Sequence, residues 1–268
     1  MKIATWNVNS IRSRLTHVVD WLQETNVDVL CLQETKVVDA DFPRSPFESL
    51  GYHLYIAGQK SYNGVAIVSR TAVEDISIGF APVLGTDIGD LDEQKRVIAG
   101  IVGNVRIVNL YVPNGSAVGS EKYDYKLRWL AVLREYIQAL LLKQPDALCV
   151  CGDFNIAPED RDIHDPKGKA NQIMASPTER QALQTILDLG LADAFRKFTS
   201  EGGHFSWWDY RTRAFSRNLG WRIDHHYLTA NLYELCTSCK IDVAPRKLEK
   251  PSDHTPVVVE LANNVKNL

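Results

Sequence analysis

With 268 residues, 45% of them hydrophobic and 24% charged, the chain has the composition of an ordinary globular protein and can bury most of its apolar surface without disulfide staples. A net charge of −3 excludes a chain coated in positive charge, although a local basic patch is enough to bind nucleic acid. No apolar run approaches bilayer-spanning length and no signal-peptide core follows Met1, so no membrane association and a cytoplasmic location are expected.

The first expected strand, residues 2–6, ends in the polar run Asn7-Val8-Asn9-Ser10. Leu15, Val18, Val19 and Leu22 then recur at helical spacing. Residues 27–33 read as a buried strand closed by Glu34-Thr35-Lys36, and residues 52–57 and 64–70 as two strands joined by a polar loop. Residues 97–102 and 105–112 form a hairpin pattern around Gly103-Asn104, running out into Tyr111-Val112-Pro113-Asn114. The strongest helix signal covers residues 121–143, where Trp129, Leu133, Tyr136, Ile137 and Leu140 make one apolar stripe and Pro145 is the expected stop.

The apolar run Leu148-Cys149-Val150-Cys151 follows, breaks at Gly152, and presents Asp153 and Asn155 two residues apart. If strand geometry persists, both point to one face; taken alone, the segment reads better as a strand followed by an Asx-type turn. Residues 157–174 are polar and aperiodic, the pattern of a long functional loop. A helix is expected over residues 177–189, with Ser176 as N-cap and Pro177 at its first position. Residues 205–208, 221–228 and 255–261 are strand candidates. No linker divides the chain, so residues 1–268 are expected to form a single domain; hairpins outnumber strand-helix-strand units, which favours the α+β class, with mixed sheets packed together and helices outside.

Of the five cysteines, Cys31, Cys149 and Cys151 lie in apolar runs, where a free thiol behaves as a small hydrophobe. Cys236-Thr237-Ser238-Cys239 has C-x-x-C spacing but no second pair or histidines at matching distance, so it reads as structural rather than as a zinc site.

Several strand-like segments end in polar clusters: Asn7/Asn9, Glu34, Tyr111/Asn114, Asp153/Asn155 and Asp224, while Asp253-His254 begins a strand. Singly, each has a bland explanation as a turn, a cap or a surface residue. Jointly they suggest one cleft built at the ends of converging strands. Carboxylates supply hard oxygen ligands for Mg²⁺, a histidine oriented by an aspartate can act as proton donor or base, and Asn and Tyr can donate to a phosphoryl transition state. That chemistry is metal-assisted phosphoester hydrolysis. A second feature speaks to the substrate. Arg211, Arg213, Arg217 and Arg222 are interleaved with Trp207, Trp208, Phe215 and Trp221, and no acid occurs between Asp209 and Asp224. Arginines for phosphates and aromatic faces for an unstacked base or sugar suit nucleic acid. A core tryptophan cluster beside a solvated loop is the competing explanation, and it fits Trp208 best.

With these residues in view, the chain resembles the exonuclease III family of apurinic/apyrimidinic endonucleases, within the endonuclease/exonuclease/phosphatase superfamily. The resemblance runs nearly end to end, through Trp6-Asn7-Val8-Asn9, Leu32-Gln33-Glu34-Thr35-Lys36, Gly58-Gln59-Lys60, Tyr111-Val112-Pro113-Asn114, Gly152-Asp153-Phe154-Asn155, Trp208-Asp209-Tyr210-Arg211, Arg222-Ile223-Asp224-His225 and Lys250-Pro251-Ser252-Asp253-His254. It implies a four-layer αββα sandwich of two mixed β-sheets flanked by helices. It also implies a monomeric Mg²⁺-dependent enzyme (Mn²⁺ being an alternative ion) acting on double-stranded DNA at abasic sites or 3′ ends, with 3′→5′ exonuclease activity. Carried over by position, Glu34 binds the metal with Asn7 beside it. Tyr111 contacts the scissile phosphate, and Asp153 positions or deprotonates the water, oriented by Asn155. Asp224 pairs with His254, which donates to a phosphate oxygen, and Asp253 lies near the metal and leaving group. Asn114 and Arg211 fall on the DNA side, and Trp207, Trp221 and Ile223 match the pocket for a flipped abasic sugar.

Three positions depart from the pattern. Asn9 stands where some relatives carry a metal-proximal Asp, and His226 where relatives have an apolar residue; the latter reads as a tolerated strand residue. His164, in the loop after Asn155, is expected either to be an exposed loop residue or to narrow the DNA path beyond the abasic site, favouring 3′-end cleaning over internal cutting. Rival readings are a lipid phosphodiesterase of the same superfamily, cleaving phosphoinositides or sphingolipids, a 3′-end exonuclease with weak abasic activity, and a non-catalytic DNA-binding module. The Arg/Trp segment argues against the lipid, and the set Glu34, Asp153, Asp224 and His254 against the inert module.

Overall fold

The computed structural model describes residues 1–144 and 146–262, so the expected helix stop at Pro145 lies outside the described residues. In chain order come β1 (Lys2–Asn7), α1 (Leu15–Thr25), β2 (Val29–Gln33), α2 (Ser45–Ser49), β3 (His53–Ala57) and β4 (Val65–Ser69). Then follow β5 (Glu74–Ile78), α3 (Ala81–Leu84), β6 (Val97–Val102), β7 (Val105–Tyr111), α4 (Glu121–Lys143) and β8 (Leu148–Asp153). The chain continues through α5 (Pro177–Leu187), β9 (Leu191–Asp193), β10 (Asp224–Thr229), α6 (Ala230–Leu235), β11 (Cys236–Ile241) and β12 (Val257–Leu261).

The strands form two six-stranded sheets, β11-β12-β1-β2-β4-β3 and β5-β6-β7-β8-β10-β9. Each is mixed, with one parallel pair at its centre: β1 with β2, and β7 with β8. Parallel neighbours need a long crossover. Here α1 and α4 supply the crossovers and cover the outer faces. On one side, Val18, Trp21 and Leu22 of α1 pack with Ala4, Trp6, Leu30 and Leu32. On the other, Trp129, Leu133, Tyr136 and Ile137 of α4 pack with Val108, Leu110, Leu148 and Val150. Between the sheets, Ile3, Val29 and Cys31 face Ile107, Cys149 and Cys151. The layers are therefore helix, sheet, sheet, helix, as expected. Strands β2 and β8 are buried on both faces, which explains their unbroken apolar runs.

Local signals match at the helices. Ser120 accepts from the Tyr123 N–H at the start of α4, and Ser176 and Glu179 form a reciprocal capping box around Pro177 at the start of α5. Two expected strands are shorter. Residues 205–208 contribute only isolated bridges, Trp207 to Trp221 and Trp207 to His254, and the strand expected from residue 221 begins at Asp224. Trp221 is tied into loop contacts with Ile163 and Trp207 instead of a ladder.

Candidate active site

The topology gathers the polar strand ends. Parallel pairing places the C-terminal ends of β1 and β2 together, with Asn7 opposite Gln33 and Glu34 following, and the ends of β7 and β8 together, with Tyr111 opposite Asp153. Strand β10 is antiparallel to β8, so its first residue, Asp224, pairs with Asp153. Strand β12 is antiparallel to β1, which brings the residues before it, Asp253 and His254, to the same edge. Asn9, Glu34 and Asn155 take left-handed backbone conformations (φ 44, 51 and 49°), uncommon for residues with a Cβ and a mark of functional turns.

Strand geometry does not persist through Asn155. Its left-handed backbone turns the chain back, so that its N–H donates to Asp153 Oδ1 at 2.9 Å in an Asx-type turn. Its side-chain amide donates to the Val112 carbonyl at 3.0 Å. The two residues do end up together, by a turn rather than by the pleat. Gly152 just before them has φ +145°, and a Cβ there would meet the Leu110 carbonyl oxygen at 1.9 Å. Only glycine lets β8 lie this close to β7.

Asn7 bridges the two halves, its amide donating to Glu34 Oε1 and to Asp153 Oδ2, both at 2.9 Å. Lys36 Nζ lies 2.7 Å from Glu34 Oε2 and 2.5 Å from Asn9 Oδ1. Asp253 accepts from Asn9 Nδ2 and from Trp207 Nε1, each at 3.0 Å. His254 Nδ1 sits 2.9 Å from Asp224 Oδ2, while its Nε2 faces Asp153 Oδ2 at 3.7 Å. Asp224 is fixed in turn by Ser206 Oγ at 2.6 Å, and Ser252 Oγ ties the Asn7 carbonyl to the His254 N–H.

Burial sets the charges. Burial by itself would lower the His254 pKa, but Asp224 and Asp153 raise it to about 10. Burial pushes Asp153 up to about 7, with Asp224 adding to the rise and His254 opposing it. Burial would also raise Glu34 and Asp253, yet both stay below the usual carboxylate range. Lys36 and Asn7 hold Glu34 down, and His254, Trp207 and Asn9 hold Asp253 down. The Tyr111 phenol is pushed well above its ordinary value by burial and by Glu34, so it remains a donor. Oxygen atoms of Glu34 and Asn9 already converge on one positive charge, the Lys36 ammonium. That hard-oxygen surrounding, with Asp253 alongside, fits a divalent cation.

The arginine–aromatic segment divides. Trp208 and Phe215 pack edge-on at 5.1 Å in a small core, beneath the Arg246 guanidinium. Trp221 and Ile223 are buried with Ile163 and Met174, and Trp207 is the half-buried member of that wall. Arg222 corrects the expectation of a phosphate-facing arginine. It is 1% exposed and held by Asp162 at 2.6 Å and Asp193 at 2.8 Å. Desolvating a guanidinium requires such partners. Arg213 and Arg217 are exposed, and Arg211 folds back in a fork onto Asp209. Asn114 is exposed and donates to Asn155 Oδ1 at 3.0 Å, beside a cleft of about 690 Å³ that Tyr111 and Arg96 also line. His164 is half-buried, its N–H bonded to the Gly220 carbonyl at 3.1 Å, and lines a second cleft with Ile163, Phe205 and Arg217.

Two contributors escaped the sequence reading. Lys126 is wholly buried, paired with Glu179 at 2.5 Å, and donates to the carbonyls of Asn155 (2.8 Å) and Asn114 (3.2 Å). Its signal was readable, since a lysine three residues before Trp129 lies on the apolar stripe of α4. Ser206 is the other; nothing in its local sequence marks it.

The family model described as Endonuclease/Exonuclease/phosphatase family matches residues 4–254. The chain belongs to this family. Within it, the chain is 35% identical to the exodeoxyribonuclease of Bacillus subtilis, over 99% of this chain and all of that one. A 3′ phosphatase from Neisseria, solved with a product DNA hairpin, superposes with TM-score 0.92 at 42% identity, covering 97% of this chain and 99% of that one. An AP endonuclease from Archaeoglobus fulgidus superposes with TM-score 0.90, also at 42% identity, covering 97% and 99%. The chain is thus a hydrolase of a divalent-metal-dependent family, with the side chains of Asp153, Asp224 and His254 grouped so that they could hold an ion.

Proposed function

We propose that the protein is a Mg²⁺-dependent DNA-repair phosphodiesterase that hydrolyses DNA at abasic sites and removes 3′ blocking groups, with 3′→5′ exonuclease activity. The observation that carries this reading is the approach of Asp153 to the Asp224–His254 pair at the strand ends, next to Glu34 and Tyr111. In it, Asp153 takes the proton of the attacking water, and Asn7 and Asn155 hold its carboxylate in place. Protonated His254, fixed through Nδ1 by Asp224, offers its Nε2–H to a phosphate oxygen, and the Tyr111 hydroxyl donates to another. Glu34 and Asp253, with the Asn7 and Asn9 amides near by, would hold the metal. When bound, it neutralises phosphate charge and stabilises the leaving oxygen. Trp207, with Trp221 and Ile223 behind it, forms the wall of the sugar pocket. Exposed Arg213 and Arg217, with Arg211, serve the phosphates.

Relatives named as exodeoxyribonuclease, 3′ phosphatase and AP endonuclease support DNA as the substrate. The five cysteines are free thiols, in keeping with a cytoplasmic compartment, and the protein is taken to act as a monomer. His164, close to Trp221, favours a bias toward 3′ ends within this reading. The test is incubation with Mg²⁺, Mn²⁺ or EDTA and three labelled duplexes: an internal abasic site, a nick bearing a 3′-phosphate, and a plain recessed end. Cleavage of these substrates with Mg²⁺ and none with EDTA is expected. Inertness on all three, with phosphate release from phosphoinositide vesicles, would overturn it in favour of the lipid reading.

A further inference from the structure

All five cysteines lie in one place, the core between the two sheets, although they come from three strands. A histidine joins them. Cys149 and Cys151 share one face of β8, and His226 on the neighbouring β10 pairs in register with Cys151. The two Sγ atoms and a ring nitrogen of His226 lie within 4.8 Å of one another, and all three residues are buried. Cys31, from the facing sheet, belongs to the same buried cluster.

His226 is the member that needs explaining. Imidazole is costly to bury among apolar groups without good partners. Its Nε2 lies 3.0 Å from the Val257 carbonyl, so that nitrogen carries the proton. The other nitrogen, Nδ1, is then a bare acceptor aimed at Cys149 Sγ, 3.8 Å away. An imidazole with one nitrogen locked to a carbonyl and the other directed at thiols has the arrangement that orients a metal-binding histidine.

We propose that Cys149, Cys151 and His226 form a site for a soft divalent metal ion, zinc being the best match, with Cys31 in reach as fourth ligand. The site is separate from the phosphodiester-cleaving cleft and does not depend on the reading of that cleft. Cys149 and Cys151 give up their protons to solvent as the ion enters and Cys31 ligates with its proton kept, so two thiolates and one dication leave the cluster neutral, the condition for a charged group to persist in an apolar core. Softness selects against Mg²⁺, whose oxygen ligands gather at the other site. The ligands are buried, so the ion enters as the sheets close and leaves only when they part, which makes it part of the folded structure rather than an exchanging cofactor.

The test is metal analysis of protein purified without a metal-affinity step, after EDTA dialysis that strips the cleft. About one equivalent of zinc per chain is expected to remain, to be released by a mercurial thiol reagent, and to be lost in Cys149→Val and His226→Phe. Protein unfolded and refolded with Co²⁺ should show a thiolate-to-cobalt charge-transfer band. Wild-type protein with less than about one tenth of an equivalent, both as purified and after refolding with zinc, and no cobalt band, overturns the proposal. Metal retained equally in both variants overturns it as well. Since the wild-type measurement decides, misfolding of a variant leaves the outcome readable.

Discussion

The Asp153 carboxylate and the His254 imidazole face each other at 3.7 Å, Oδ2 to Nε2, at the join of the two sheets. That gap is too wide for a direct hydrogen bond, so a third group can come between them, although Asp153 Oδ2 already accepts from the Asn7 amide. Their shifted titrations set a pH window. Asp153 is raised to about 7 and must be ionised to accept a proton; His254 is raised to about 10 and must be protonated to donate one. As pH rises, kcat/KM should climb through about 7 and fall through about 10, a bell measurable on a nicked 3′-phosphate duplex. A profile flat from pH 6 to 8, on the order of the window expected for a tuned base, would contradict the role of Asp153.

Replacing Asp153 with Asn keeps shape and the Asn155 turn but removes the base. Cleavage should fall by roughly 10²–10⁴-fold, the range for a lost general base. Binding to an abasic duplex, read by fluorescence anisotropy with Ca²⁺ in place of Mg²⁺, should stay within about threefold. Loss of binding in parallel with activity would mark Asp153 as a structural residue.

His164 is half-buried beside Trp221, through its bond to Gly220, and lines a cleft with Phe205 and Arg217. A ring so placed is available to contact a DNA strand. His164→Gly should raise abasic-site cutting relative to 3′-phosphate removal by about tenfold, the scale of one lost steric or packing contact. Single-turnover rates on the two substrates check this, and an unchanged ratio would sink it.

Lys126→Met leaves Glu179 charged and buried with no cation, and leaves the Asn155 carbonyl without that donor. Removing one partner of such a pair costs about 3–5 kcal/mol, visible as a lower urea midpoint. Because Asn155 lies in the turn that holds Asp153, kcat should fall more than KM rises. Lys126→Arg should restore part of both. A loss confined to stability, with kcat intact in the folded fraction, would separate this pair from the chemistry.

How much of this was visible in the residues alone depended on distance along the chain. Glu34, Asp153, Asp224 and His254 stood out because each polar group adjoins an apolar run, a contrast written within a few residues. The four-layer order followed from the family resemblance, and the residues by themselves pointed only to mixed sheets with helices outside. Strands β5, β9 and β11 were missed: β5 and β11 are partly exposed edges and β9 is only three residues long, so none carries a strong apolar pattern. Arg222 was misread for another reason. Its partners Asp162 and Asp193 are 60 and 29 residues away, and an arginine in a basic stretch looks the same whether it meets solvent or a buried carboxylate. Trp208 and Phe215 were similarly ambiguous, since an aromatic face offered to a base and one packed against a neighbour have identical local sequence.

The pairing of β1 with β12 has a consequence for the time at which the protein becomes active. Strand β1 is the first of the described strands, yet one of its two neighbours, β12, is the last of them, and Asn7 at its tip is linked to the His254 N–H through Ser252. A chain still being synthesised carries Glu34 and Asp153 long before it carries Asp253 and His254. In the proposed mechanism, cleavage therefore waits until β12 docks between β11 and β1 and brings Asp253 and His254 to the site.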